Sequence, residues 1–335
     1  MTIKDLAVKT GYAVGTVSRA LNNHPNVSDK ARESILKAAE ECGFELNVNA
    51  KQLKQQHFHT ILVVTKGIGN ELFSEMVESI QHLVARTRYQ LVVDYMDEDA
   101  NEVIRAVHLC REKKPMGVLF LGGNKENFIR DFDKIDVPSV LVTNDASDLH
   151  FPNLSSVSTD DREAARCAVN TLISLGHRKI AIIGGDRSGS DTSRLRYEGC
   201  MNAFREHGMT FDDSRNYRGV RFSCEDGYQA TKELLARGGD FTAIFAVADV
   251  IAIGAIRALW EEGKRVPEDI SVMGVDGLPF GTYLIPQLST IRQSARCMAI
   301  RSVEILVDSM ENGTEACHET VPFEVHKRES IRAIK

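Results

Sequence analysis

At 335 residues the chain is too long for one ordinary hydrophobic core and has room for two or three domains, each able to bury enough apolar surface to fold. Its 43% hydrophobic and 26% charged residues are those of a soluble globular protein, and no apolar run nears the roughly 18 residues of a membrane span, which argues against a membrane role. The net charge of −6 is uneven: residues 1–57 hold eight Lys and Arg against six Asp and Glu, so a mildly basic head precedes an acidic body.

The opening MTIKDLAVKTG mixes Lys with Asp and lacks the apolar core of a secretory signal, so a cytoplasmic protein is expected. The first 46 residues read as three short helices without a strand. Ile3, Leu6 and Ala7 share a face of the first, which Gly11 ends; residues 14–22 form the second, and Asn22 to Pro25 turn. Ser28 is placed to cap a third helix, whose Ala31, Ile35, Ala38 and Ala39 face inward until Gly43. The second helix is unusual. Val17, Ala20 and Leu21 line one side, while Gly15, Ser18, Arg19 and Asn22 line the other, with none of the usual long Glu and Lys. Ala7, Gly11 and Val17 each have a steric role in a helix-turn-helix: close approach, a left-handed turn residue and a core plug. A smooth outward face with one arginine suits a helix in the DNA major groove, where Arg19 is the best candidate to read guanine. The alternative is an ordinary three-helix domain whose small residues are incidental.

Residues 47–57, NVNAKQLKQQH, carry too few apolar groups to hold a fold of their own and read as a linker. From His59 onward the apolar runs 61–64, 91–93, 117–121, 139–142, 179–183, 243–247 and 271–275 alternate with the amphipathic segments 73–86, 101–113, 162–175, 194–207, 225–237 and 250–262. Continuous apolar strands separated by helices predict two parallel sheets covered on both faces. Trp260, within the last helical pattern, is expected in the core.

Enzyme signatures fail. GIGNEL (67–72) follows a strand, but Leu72 stands where a dinucleotide fingerprint needs glycine, and GGDRSGSD (184–191) lacks the Lys-Ser/Thr pair of a phosphate loop. No nucleophile elbow is present, the ten histidines do not cluster at metal spacing, and the seven cysteines never form C-x-x-C. A non-enzyme without cofactor or metal is expected.

The stretch TIKDLAVKTGYAVGTVSRALN, followed by NVSDKARESI, resembles the DNA-binding head of the lac repressor/galactose repressor family. The body agrees through ISLGHRKIAIIGG (173–185), RYEG (196–199), VPEDISVMGVD (266–276), PQLSTIRQ (286–293) and KRES (327–330), so the resemblance spans nearly the whole chain. It implies a helix-turn-helix domain over 1–46, a hinge helix over 47–57 and an effector-binding and dimerisation domain over 58–335. The last has a type I periplasmic-binding-protein-like α/β fold, with one subdomain about 58–157 and 290–318 and the other about 158–289 and 319–335.

By the same resemblance Val14, Gly15 and Arg19 match base-reading positions, while Thr16, Ser18 and Asn22 face or flank phosphates. Ala13 stands where the family usually has a capping serine. Asn47, Ala50 and Leu53 match the hinge, whose leucine wedges into the minor groove in relatives, although Leu46 replaces the frequent proline before it. The implied effector residues are Phe73, Arg196, Asp249, Asp276 and Gln293, a set suited to a polyhydroxylated ligand; Phe222, after a strand, and Asn144 are further pocket candidates. Each has a bland alternative: an Asp after a buried strand is often a helix cap, and Arg196 could be a surface ion pair. Ala248 replaces a frequent asparagine and Thr143-Asn144 a frequent Asp-Arg, so the ligand need not be a common hexose.

The expected protein is a transcriptional regulator, most simply a repressor, that binds double-stranded operator DNA as a homodimer under control of a small effector, a sugar or sugar derivative. One head with few basic residues makes too few phosphate contacts, whereas two tethered heads share one binding event. The rival is a solute-binding protein of the same body fold, which needs an export signal and no head.

Overall fold

Three helices build the head: α1 (Ile3–Thr10), α2 (Val14–Leu21) and α3 (Asp29–Glu41). The structure, a computed structural model, describes residues 2–21, 26–42, 59–67, 69–187 and 189–334. It divides into two units, Met1–His57 and Phe58–Lys335. A reciprocal cap starts α1, with the Asp5 amide donating to Thr2 Oγ1 at 3.3 Å and the Thr2 amide to Asp5 Oδ2 at 2.7 Å. Gly11 ends it at φ +70°, the left-handed residue that turns the chain toward α2. Leu6, Val17 and Ile35 are fully buried and meet Ala7, Ala20 and Ala39. Ser28 holds the N-cap of α3 but makes no side-chain capping bond, contrary to expectation; only its carbonyl engages the helix, accepting from the Arg32 amide at 2.9 Å.

The second unit has two sheets. Its strands are β1 (Thr60–Lys66), β2 (Gln90–Met96), β3 (Gly117–Leu121), β4 (Ser139–Val142), β5 (Leu154–Thr159), β6 (Ile180–Gly184), β7 (Tyr217–Gly219), β8 (Ala243–Ala246), β9 (Ser271–Asp276), β10 (Ser289–Gln293), β11 (His318–Val321) and β12 (Phe323–His326). One sheet runs β11-β5-β4-β3-β1-β2 and the other β12-β10-β9-β8-β6-β7; all pairs are parallel except β10 with β12. The chain therefore crosses between the lobes after β5, after β10 and between β11 and β12. The expected subdomain limits shift accordingly. Position 290 lies inside β10, which pairs with β9, and residues 319–321 lie in β11, which pairs with β5.

Helices α4 (Glu71–Val84), α5 (Glu102–Lys113), α6 (Lys125–Asp131), α7 (Asp161–Ser174), α8 (Asp191–Glu206), α9 (Asp213–Asn216), α10 (Cys224–Ala236), α11 (Asp249–Glu261) and α12 (Ala295–Asn312) surround these sheets. In β1, Ile61 and Val63 pack toward α4 and α12 while Leu62 and Val64 pack toward α5 and α6. A strand buried on both faces has no polar side to display, which is why β1 reads as a continuous apolar run. In the second lobe α10 and α11 meet through glycine: a Cβ on Gly254 would lie 1.9 Å from the Cys224 carbonyl oxygen.

Trp260 is not in the core. It is 68% exposed, with the Arg257 guanidinium 4.7 Å from its ring centroid. It lies two and a half turns beyond the buried Ile251, on the opposite side of α11. The extra helix α12 lies outside the expected alternation, although its buried Ala295, Met298, Ala299, Ser302, Val303, Ile305 and Leu306 follow a helical period, with Arg296, Arg301, Glu304 and Asp308 on the outer side.

Because the head has its own small core, Ile35→Ala is expected to cost about 2–5 kcal/mol there. Hydrogen exchange should quicken across residues 3–41 and stay unchanged in the second unit; equal loss in both would contradict separate cores.

Candidate functional site

The head exposes one side of α2. Val17 and Ala20 are turned inward, whereas Gly15 and Arg19 are exposed, Val14 is 43% exposed, and Thr16 and Ser18 are half-buried. Arg19 Nε donates to the Gly15 carbonyl at 3.1 Å, which lays the guanidinium along the outer face. The arrangement offers one planar donor fork amid short side chains. Asn22, Asn47, Ala50 and Leu53 lie outside the described residues.

The second candidate site is a cleft of about 1540 Å³ between the lobes, at the carboxyl ends of β1, β3, β4, β6, β7, β9 and β10. Six of the seven expected effector residues meet there: Phe73, Asn144, Arg196, Phe222, Asp276 and Gln293. Phe73 sits in the first turn of α4, which the Asn70 side chain caps by accepting from the Leu72 and Phe73 amides at 3.1 and 3.4 Å.

Arg196 is the polar centre. Its Nε donates to Asp161 Oδ1 at 2.7 Å, its Nη1 donates to the Val247 carbonyl, and its Nη2 lies 3.7 Å from Asp276 Oδ1. Gln293 Nε2 donates to the same Asp276 oxygen at 2.7 Å. Arg196 and Asp161 are each 4% exposed, so the surface ion-pair reading of Arg196 does not hold. Burial works against the Arg196 charge, but Asp161 and Asp276 outweigh it and leave the pKa above its ordinary value. Burial raises the Asp161 pKa against the pull of Arg196, and it pushes Asp276 up to about 6.

Asp249 is not a wall residue. It is fully buried behind the cleft, where Oδ2 accepts from the Leu278 amide and Oδ1 from the Thr290 hydroxyl, both at 2.7 Å. Ala248 takes the N-cap and Asp249 follows in the first turn, so the carboxyl meets β10 and the loop after β9 instead of a ligand. Burial, helped by Asp276, pushes its pKa up to about 8.

Residues distant in sequence bridge the lobes. Arg221 donates to Glu98, with its Nη2 3.0 Å from Asp97 Oδ1 and its Nη1 3.6 Å from Asp99 Oδ2. Asn124 Nδ2 donates to the Gly189 carbonyl at 3.1 Å, the Lys125 amide to Asp191 Oδ2 at 3.0 Å, and Asn144 Nδ2 to Thr192 Oγ1 at 3.3 Å. Inside the first lobe, Lys66 at the cleft wall pairs at 2.8 Å with Glu102, whose side chain is fully buried. Sequence reasoning missed Asp161, Lys66 and Arg221. Only Asp161 carried a signal, as an acidic pair with Asp160 at the mouth of a helix.

A helix-turn-helix unit and a two-lobed α/β body with a ligand-sized cleft define a DNA-binding transcriptional regulator. Residues 2–47 match the bacterial regulatory proteins of the lacI family and residues 169–331 the periplasmic binding protein-like domain. The HTH-type transcriptional regulator MalR of Clostridium butyricum is 33% identical over 333 residues, 98% of this chain and 99% of its own. The probable HTH-type transcriptional repressor ExuR of Bacillus subtilis is 31% identical over 343 residues, 100% of this chain and 99% of its own. Among solved structures, the lac repressor dimer bound to operator and the anti-inducer ONPF aligns with a TM-score of 0.77 at 27% identity, covering 99% of each chain. The transcriptional regulator CelR in complex with cellobiose gives 0.72 at 26% identity, covering 98% of this chain and 99% of that one. The chain belongs to the lacI family of bacterial transcriptional regulators.

Two outcomes test the cleft chemistry. Asp276 and Asp249 keep protons that the unfolded chain releases near pH 4, so the stability tied to them is full below that pH. It is lost as pH rises through about 6 and about 8. Asp249→Asn should therefore flatten the stability loss between about pH 6 and about pH 8.5, read from urea midpoints beside the wild type. Arg221→Glu should open the lobes: the scattering radius of gyration rises and stops responding to salt, whereas the wild type opens as salt screens the ion pairs. An unchanged radius would mean that the Arg221 contacts do not hold the lobes.

Proposed function

We propose that this protein represses transcription as a homodimer on a pseudopalindromic operator, and that a neutral, hydroxyl-rich effector, a sugar or sugar derivative, controls that binding from the cleft. The observation that carries the effector reading is the convergence of Arg196, Asp276 and Gln293 between Phe73 and Phe222. Side chains of this kind pair with adjacent hydroxyls while an aromatic ring covers an apolar sugar face. The cleft wall carries four Lys or Arg side chains against eight Asp or Glu, a field that disfavours phosphorylated or carboxylated ligands. The cellobiose held by CelR and the operator held by the lac repressor dimer support the same reading.

Base choice rests on Arg19, with Val14 supplying apolar contact and Gly15 close approach; Thr16, Ser18 and Asn22 serve the backbone. Asn47, Ala50 and Leu53 form the hinge. Tyr283 and Ile285, 82% and 95% exposed, supply apolar surface for self-association. The protein acts in the cytoplasm by binding and not by catalysis. Effector in the cleft shifts the population of lobe angles, and with it the fit of the paired hinges in the minor groove.

A thermal-shift screen of cellobiose, maltose, ribose, glucuronate and glucose 6-phosphate tests the effector. A neutral sugar present at about 100 times its Kd should add about 2.7 kcal/mol of stability. A larger shift with the charged sugars would overturn the neutral-ligand reading. For the head, Arg19→Ala should cost about 1–3 kcal/mol on duplexes selected from a randomised pool while leaving non-specific binding in place. Unchanged discrimination would remove Arg19 from base reading.

A further inference from the structure

Asp276, the carboxylate that meets Arg196 and Gln293, stands at φ +116°, a backbone conformation that side-chain-bearing residues seldom adopt, and Gly277 follows at φ +76°. Something must hold this pair of residues in place. The Asp249 carboxyl is positioned to do so. It takes the Leu278 amide at one oxygen and the Thr290 hydroxyl at the other, and Thr290 Oγ1 in turn accepts from the Gly277 amide at 3.3 Å. Gly274 in β9 makes room for this carboxyl: a Cβ there would lie 2.2 Å from Asp249 Oδ1.

The tether also reaches the joint between the lobes. Leu278 belongs by chain to the second lobe, yet its side chain is 2% exposed within the core of the first. Val250, the neighbour of Asp249, packs against the cores of both lobes. Thr290 lies in β10, the strand from which the chain crosses into α12.

We propose that Asp249 is a positioning residue that ties cleft-facing Asp276 to the Leu278 knob in the first-lobe core and to the crossover strand β10, so that a change at Asp276 is passed to the joint between the lobes. The proposal rests on the reading of the cleft as the effector site. Ligand contacting Asp276 would move a rigid unit of loop and strand instead of one side chain. The departure of Asp249 from the cleft wall then has a reason, since its oxygens are committed to the joint.

The test is hydrogen exchange on the full chain without ligand. Asp249→Ala should speed exchange over residues 277–293 by roughly tenfold or more, since a buried amide loses its acceptor, while β1 to β4 and the head keep wild-type rates. Asp249→Asn retains an oxygen for the Leu278 amide and should restore most of that protection. If Asp249→Ala does not fold, Thr290→Val removes the bonds of the tether to Asp249 and from the Gly277 amide while leaving the Leu278 bond, and should also speed exchange of the same segment. Leu278→Ala should leave 277–293 protected and quicken residues 295–306 of α12. Unchanged exchange over 277–293, or equal acceleration in β6 and β8, would overturn the proposal, as would an unaltered α12 in Leu278→Ala. No ligand enters this measurement, so a sugar screen without a hit would count against the effector reading alone.

Discussion

A single guanidinium organises the cleft. Arg196 is buried, and a buried charge persists only where its donors are matched; here Asp161, the Val247 carbonyl and Asp276 surround it. Those partners come from the first turn of α7, the end of β8 and the end of β9, so one side chain ties three elements of the lobe to a common point. The acceptors that satisfy Arg196 also set the geometry a ligand meets. Asp276 in particular is shared with Gln293, the last residue before a lobe crossing.

The lobes themselves use ordinary physics for this purpose. Parallel strands buried on both faces align their carboxyl ends, and the loops there carry the groups that need precise placement. Across the gap the bonds from Arg221, Asn124, Lys125 and Asn144 are few, those of Arg221 and Asn124 are exposed, and contacts of this kind resist motion between the lobes only weakly. The covalent crossings limit that motion to rotations about three short connections.

Much of this was legible in the amino-acid pattern. The apolar runs at 117–121 and 139–142 match β3 and β4 residue for residue, because strands buried on both sides have no polar positions to blur their limits. The inward residues of the head were readable for a similar reason: a three-helix unit leaves little choice of where alanine, valine and isoleucine go. Edge strands β11 and β12 were not readable, since HETV has one apolar residue and FEVH two, and four-residue segments that short and that exposed carry no usable period. Trp260 misled because hydrophobicity was taken without angle. Asp249 was expected at the ligand because VADV matches the family's motif, yet a motif fixes only where the main chain lies, while the carboxyl follows the donors offered by Leu278 and Thr290. Ion pairs such as Arg221 with residues 97–99 join positions more than a hundred apart and leave no periodic trace.

The head keeps its folding face apart from the face proposed to read DNA. Leu6, Val17, Ala20 and Ile35 hold the helices together, and Val14, Gly15 and Arg19 take no part in that core. Even Gly15 is unconstrained by packing, since an added methyl group would come within 4 Å only of the tip of Arg19. The address that such a protein recognises can therefore be rewritten by substitutions that leave the scaffold intact, which makes divergence of targets inexpensive while the sensing body evolves on its own schedule.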